Sequence, residues 1–225
     1  MKLVLSTAVV ACLLAASAAH GQILVNGGFE NEPQALNPNS PPQEFGFLFL
    51  TGNQVPGWTI APGHWATLHE NPGPWPTITG AYSLNTDGEG QNGNNVDIYQ
   101  DFASTSGAAY SFSFDWLNWV DDAGNSQLQI SIVDTTTSAA LFDQFYGQGA
   151  SFVVNHVLAG FTGTGDTLRL EIQETPQTGY NDNTWIVDNF DVETAGVPDS
   201  TTWTAEALAI TSVLGMAVRL RKARA

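Results

Sequence analysis

In "YSFSFDWLNWV", residues 110–120, Tyr110, Phe112, Phe114 and Trp116 alternate with Ser111, Ser113 and Asp115. A period of two is the mark of a strand with one buried face. "QLQISIV" repeats the pattern with Leu128, Ile130 and Ile132, and the intervening "DDAGN" supplies turn residues, so the two segments are expected to form a hairpin. "TLRLEIQ" buries Leu168, Leu170 and Ile172 and turns Arg169 and Glu171 outward. Further short strands are expected near Ile23–Val25, Gly57–Ile60, Trp65–His69, Ala81–Leu84, Val96–Phe102, Leu141–Tyr146, Ser151–Val157 and Trp185–Val192. Helix signals are absent from this stretch, and Gly, Asn and Pro mark the turns. The pattern predicts an all-β, antiparallel two-sheet β-sandwich. Residues 31–44, rich in Pro and Asn, form the longest stretch without a strand pattern.

Both ends break the alternation. The start has Lys2, an apolar run from Leu3 to Ala16 and small residues around Ala16, Ala18 and Gly21, which is the pattern of a cleaved signal peptide. Near the other end an uncharged run from Ala207 to Val218 is followed by Arg219, Arg221, Lys222 and Arg224. It is shorter than the about 20 residues a spanning helix uses, and extending it to Thr201 takes in Glu206. The basic cluster would stay on the cytoplasmic side, leaving everything before it outside. The expected organisation is a signal peptide over 1–21, a sandwich over 22–195 and a C-terminal segment over 196–225.

"VPDS", then a hydrophobic helix, then "RLRKARA" resembles the VPDSG-CTERM and PEP-CTERM sorting signals. The resemblance implies that Val197, Pro198, Asp199 and Ser200 form a motif read by an exosortase-type membrane transpeptidase. The C-terminal helix would hold the chain in the membrane until processing, and the destination would be the cell surface or extracellular matrix. Thr201 stands where the family usually has Gly, and Glu206 interrupts the apolar part.

Charge narrows the partners. The chain carries a net charge of −16, and of its six basic residues only Arg169 lies between residues 22 and 195. Nucleic acid and anionic membrane surfaces are therefore poor partners for that segment. The excess charge serves solubility or is relieved by divalent cations. The single cysteine, Cys12, falls in the signal segment, so the rest of the chain forms no disulfide within itself.

"ILVNGGFENE", "VPGWT", "GAYSLNTDG", "VDIYQDF", "AYSFSFDW", "DDAGN" and "WIVDNFDV" run in the order seen in galactose-binding-like jelly rolls, and the chain resembles the carbohydrate-binding modules among them. The resemblance implies a jelly-roll fold and non-catalytic binding of extracellular polysaccharide. The alternative is a structural or adhesive surface protein without a sugar site.

Two carboxylates stand out. Glu30 follows a Gly-Gly turn, and Asp188 shares strand parity with Ile186, Phe190 and Val192, which points it into the sandwich interior. The resemblance implies that Glu30 and Asp188 hold a structural Ca2+, with main-chain carbonyls near Asn26 or Gly28. Their alternative is satisfaction by backbone N–H groups. For sugar stacking the candidates are Trp65 and Trp75 with His64, in "PGHWATLHENPGPWPTITG", and Tyr180, all equally open to packing roles. Trp58 and Trp116 are read as core. Asn85, Asp87 and Glu89 have EF-hand spacing, but Val96 occupies the twelfth position, so 85–97 is read as a solvated loop. No HExxH or GxSxG occurs, and Asp121–Asp122 in a turn does not make a glycosidase pair, so the chain is read as no enzyme.

Overall fold

Apolar residues at every second position, from Leu24 to Val192, meet in one core between two antiparallel sheets. The computed structural model describes residues 23–31, 47–71, 76–86, 96–121, 127–147, 151–175 and 183–195. All but Ala195 belong to the unit Gly21–Thr194. The expected signal peptide, the sorting tail with Val197, Pro198, Asp199 and Ser200, and both terminal helices lie outside the described residues, as do Trp75, Tyr180 and Asp122.

The strands in chain order are β1 (Phe47–Leu50), β2 (Thr59–Ile60), β3 (Ala66–Glu70), β4 (Tyr82–Asn85), β5 (Asp97–Ala103), β6 (Ala109–Asp121), β7 (Gln127–Asp134), β8 (Ala140–Tyr146), β9 (Ser151–Thr162), β10 (Thr167–Thr175) and β11 (Asn183–Thr194). One sheet has the order β1-β3-β4-β11-β6-β9, the other β2-β5-β10-β7-β8. The chain crosses between them repeatedly, so the fold is the all-β jelly-roll sandwich that the alternation and the fragment order predict. Two local expectations fail, and one strand goes unforeseen. β6 and β7 do not pair: β6 lies between β11 and β9, and β7 between β10 and β8. Alternation sets which side chains face the core, and it is the same whether the next strand pairs locally or crosses to the other sheet. β1, from the run "FLFL", carries no period-two signal. Ile23–Val25 is no strand; Gln100 grips it instead, accepting from Val25 N at 2.6 Å and donating to Val25 O at 2.8 Å.

The fragments "NGGF", "PGW" and "DNF" meet in an aromatic centre. Phe29, Trp58 and Phe190 lie 5.3–6.1 Å apart, and Phe114 stacks on Phe190 at 5.1 Å. Trp58 Nε1 donates to Asn26 O at 2.9 Å, which satisfies the one polar atom the ring brings inside. Gly57, at φ 84°, passes so close to Val25 O that a side chain there would collide with it. Trp116 packs at the margin of the core, as expected for a core residue.

Candidate functional site

The two sheets turn different outer faces outward. On the six-stranded sheet, β11 carries a bulge: register shifts between Asp188 and Asp191, and Asn189 sits at φ 56°. The extra residue flips parity. Trp185, Val187, Phe190 and Val192 face the core, while Asp188 faces away from it, so its expected interior position is corrected by the bulge. Asp188 is nevertheless fully buried, because residues 76–81 fold back over β4 and β11. Its Oδ2 accepts from Thr79 N and Thr79 Oγ1 at 3.2 Å and from Ser83 Oγ at 2.9 Å. Its Oδ1 accepts from Asn189 N at 2.7 Å. Burial pushes the carboxyl up to about 6 against the pull of these bonds.

Glu30 braces the same turn, accepting from Ala81 N at 2.7 Å and Tyr82 N at 3.3 Å. Gly80, at φ 61°, lies so close to this carboxylate that any side chain would strike it. Glu30 and Asp188 both flank Gly28: a Cβ built there would stand 3.7 Å from Glu30 Cγ and from Asp188 Oδ1. Thr79 Oγ1 stands 3.2 Å from Asp188 Oδ2 and 3.0 Å from Asn189 Oδ1, which adds neutral oxygens, a donor type that hard divalent cations accept, beside the carboxylate. Among the described residues no three His, Cys, Asp or Glu side chains gather in a metal-holding group, so a cation here would rest on these two carboxylates and on amide, hydroxyl or main-chain oxygens. An open pocket of about 470 Å³ lies beside Gly28, lined by Asn189, Phe190, Asp191 and Glu193.

His69, on β3, is buried in the same layer. Nδ1 donates to Pro76 O at 2.8 Å and Nε2 accepts from Asn85 Nδ2 at 2.9 Å, which fixes a neutral tautomer. Burial lowers its pKa to about 4. Both nitrogens are engaged, so His69 is a structural histidine. Asn85 therefore serves His69, and Val96 is buried in the core, which leaves the EF-hand comparison without its ends.

The five-stranded sheet turns rows of polar side chains outward by register. Glu171 stands between Tyr99 and Ser131, and Ser131 is opposite Asp143. In the next row Gln173 stands between Asp97 and Gln129, and Gln129 is opposite Phe145. Apart from buried Ser131, these are half-buried or exposed. Burial, then the charge of Asp97, raises the Glu171 carboxyl above its ordinary range. Arg169 is held bidentately by Asp101, at 2.8 and 3.0 Å, with its guanidinium 3.6 Å over the Tyr99 ring. One ring face is thus closed by a fixed cation.

Of the loop candidates, His64 and Trp65 are half-buried in the crossover from β2 to β3. Ala61 N donates to Asp97 O at 2.9 Å, so this crossover leaves the five-stranded sheet beside Asp97. The turn closes with His64 N donating to Ala61 O at 3.1 Å. The rows at Asp97, Gln129, Glu171 and Gln173 were not among the expected site residues. Their outward parity was visible in "VDIYQDF" and "TLRLEIQ", but the pairing that aligns them was not.

No family model matches the chain, and no curated protein matches it. Among solved structures, the xylan-binding CBM22-1 domain of Paenibacillus barcinonensis Xyn10C is 13% identical over 68% of this chain and 96% of its own, with a TM-score of 0.43. TmCBM61, solved with β-1,4-galactotriose, is 10% identical over 77% and 99%, with a TM-score of 0.44. The CBM22-1–GH10 modules of Clostridium thermocellum xylanase 10B, solved with xylohexaose, are 13% identical over 63%, with a TM-score of 0.43, and this chain spans 26% of their length. At these identities and scores the likenesses carry no ligand over to this chain.

Proposed function

We propose that the chain is a non-catalytic, exported module that binds extracellular polysaccharide on the outer face of its five-stranded sheet. The observation that supports this reading is the register of that face, which lines up Asp97, Gln129, Glu171 and Gln173 across three strands. Carboxylates and amides in rows offer paired acceptors and donors to vicinal hydroxyls, and the exposed Phe145, opposite Gln129, offers apolar surface for a sugar ring. Catalysis finds no support in the two adjacent carboxylates. The charge of Asp97 raises the Glu171 carboxyl, but two carboxylates on neighbouring strands do not by themselves make a glycosidase pair. Retention of the full chain on immobilised neutral and acidic polysaccharides tests the proposal; saturable retention lost in Gln173→Ala supports it, and no retention by a folded chain overturns it.

A structural calcium at Glu30 and Asp188 belongs to the same proposal. Its support is the buried Asp188 carboxyl, which has no basic residue among its bonding partners. For delivery, the proposal keeps the signal peptide, the VPDS tail and an exosortase-type processing enzyme. Tags placed before Gly196 and after Ala225 test it: separation of the two in fractionated cells supports cleavage, and permanent co-migration makes the tail an anchor. A second reading, a structural surface protein, is favoured by the exposed apolar side chains of β9.

A further inference from the structure

β9 closes one side of the six-stranded sheet, with β6 as its only strand neighbour among the described residues. Free edges are ordinarily blunted by charge, proline or shortness, because they template further pairing. The other edges obey: β1 and β2 are short, and β8 carries Asp143. β9 runs for 12 residues, "SFVVNHVLAGFT", without Asp, Glu, Lys, Arg or Pro. It leaves Phe152 72%, Val153 65%, Val154 46% and Leu158 73% exposed.

We propose that β9 pairs antiparallel with β9 of a second copy of this chain, with Asn155 on the two-fold axis, joining two six-stranded sheets into one. The sequence of the strand selects a copy of itself. About Asn155, Phe152 falls opposite Leu158, Val153 opposite Val157, and Val154 opposite His156. The two most exposed apolar side chains therefore meet twice, the reciprocity a two-fold interface requires.

Charge selects the same edge. Each copy carries −16, so most surfaces of two copies repel, whereas β9 brings no carboxylate to the contact and would offer a basic partner nothing to pair with. Asp115, opposite His156 on β6, is already tied to that ring at 2.7 Å. Asn155 Nδ2 donates to Val153 O at 2.9 Å and has to let go as the strands meet. About Asn155 the paired stretch is Ser151–Ala159, about 30 Å long, and with an edge about 10 Å deep it covers about 300 Å² per copy, less than half of what a standard interface covers. The pairing is accordingly reversible and strengthens as salt screens the repulsion.

The register is tested in the full chain with Cys12→Ser and Asn155→Cys. Residues opposite themselves on a two-fold lie about 4.5–5.5 Å apart at Cα, within disulfide reach. The expected result under mild oxidation is a covalent dimer whose yield rises from about 0.05 to about 0.5 M NaCl. The same experiment with Phe145→Cys, on the β8 edge, should give none. Sedimentation supplies a second readout: self-association should weaken about tenfold or more in Phe152→Asp, an exposed site whose change leaves the core intact. No disulfide at position 155, equal yields at 145 and 155, or unchanged sedimentation of Phe152→Asp would each overturn the proposal. So would Phe152→Asp losing polysaccharide binding while wild type is monomeric, which would make β9 a glycan contact.

Discussion

The two outer faces of the sandwich come from the same period-two alternation and end in opposite states. On the six-stranded sheet, His69, Ser83 and Asp188 occupy positions turned away from the core, yet all three are buried beneath residues 76–81 and bonded to them or to one another. On the five-stranded sheet, Asp97, Glu171, Gln173 and Gln129 occupy equivalent positions and stay accessible. Alternation decides which side chains leave the core. Coverage by a returning segment then decides whether a polar group holds the fold together or meets a ligand.

The contrast is broken most severely by Asp188→Ala, which leaves the buried Ser83 hydroxyl and the Thr79 and Asn189 donors around it without their acceptor. The expected loss of stability is about 3 kcal/mol, read from urea midpoints, whereas Gln173→Ala on the open face should stay within about 0.5 kcal/mol.

Titration separates the faces further. The folded Asp188 carboxyl, at about 6, lies above its ordinary 3.8, so its contribution is full below pH about 4 and is lost as pH rises through 6. The folded His69, at about 4, lies below its ordinary 6.5, so its contribution is full above pH about 6.5 and is lost as pH falls through 4. Each amounts to at most about 3 kcal/mol, and the opposed slopes offset each other between pH 4 and 6. In chelator, His69→Gln should make stability fall with rising pH across that window, and Asp188→Asn should make it rise; parallel slopes in the two variants would contradict the buried network.

Calcium should raise the melting midpoint of the wild-type chain, and chelator should lower it again, through Glu30 and Asp188. A midpoint indifferent to both would remove the cation from the account. Smallest of all should be the effect of Asp101→Asn on stability, since an exposed ion pair contributes about 0–1 kcal/mol. Its effect should appear in the loosening of Arg169 from Tyr99, followed by tyrosine fluorescence.

Much of this was legible in the chain. "YSFSFDW", "QLQISIV" and "TLRLEIQ" located their strands and their buried faces, because alternation is a local consequence of strand geometry. Trp58 was recognisable as core from its place in "PGW". The partner of β6, the parity flip at Asn189 and the burial of His69 were not legible. Each depends on a segment outside the local pattern: β9, Gly27 against Phe190, and the turn at Pro76 that returns over β3. Glu30 and Asp188 were singled out as a pair and are found beside the same glycine, but three of the four donors on Asp188 belong to Thr79 and Ser83, which no local pattern connects to it.

The most direct test of the central claim is calorimetric titration, with a polysaccharide that retains the full chain, of wild type, Gln173→Ala and Ser113→Ala. Gln173 lies on the open rows of the five-stranded sheet, and Ser113 lies on the outer side of the six-stranded sheet. A glycan held by the five-stranded face should bind about tenfold more weakly to Gln173→Ala and unchanged to Ser113→Ala. Unchanged affinity in Gln173→Ala, or an equal loss in both variants, would contradict it.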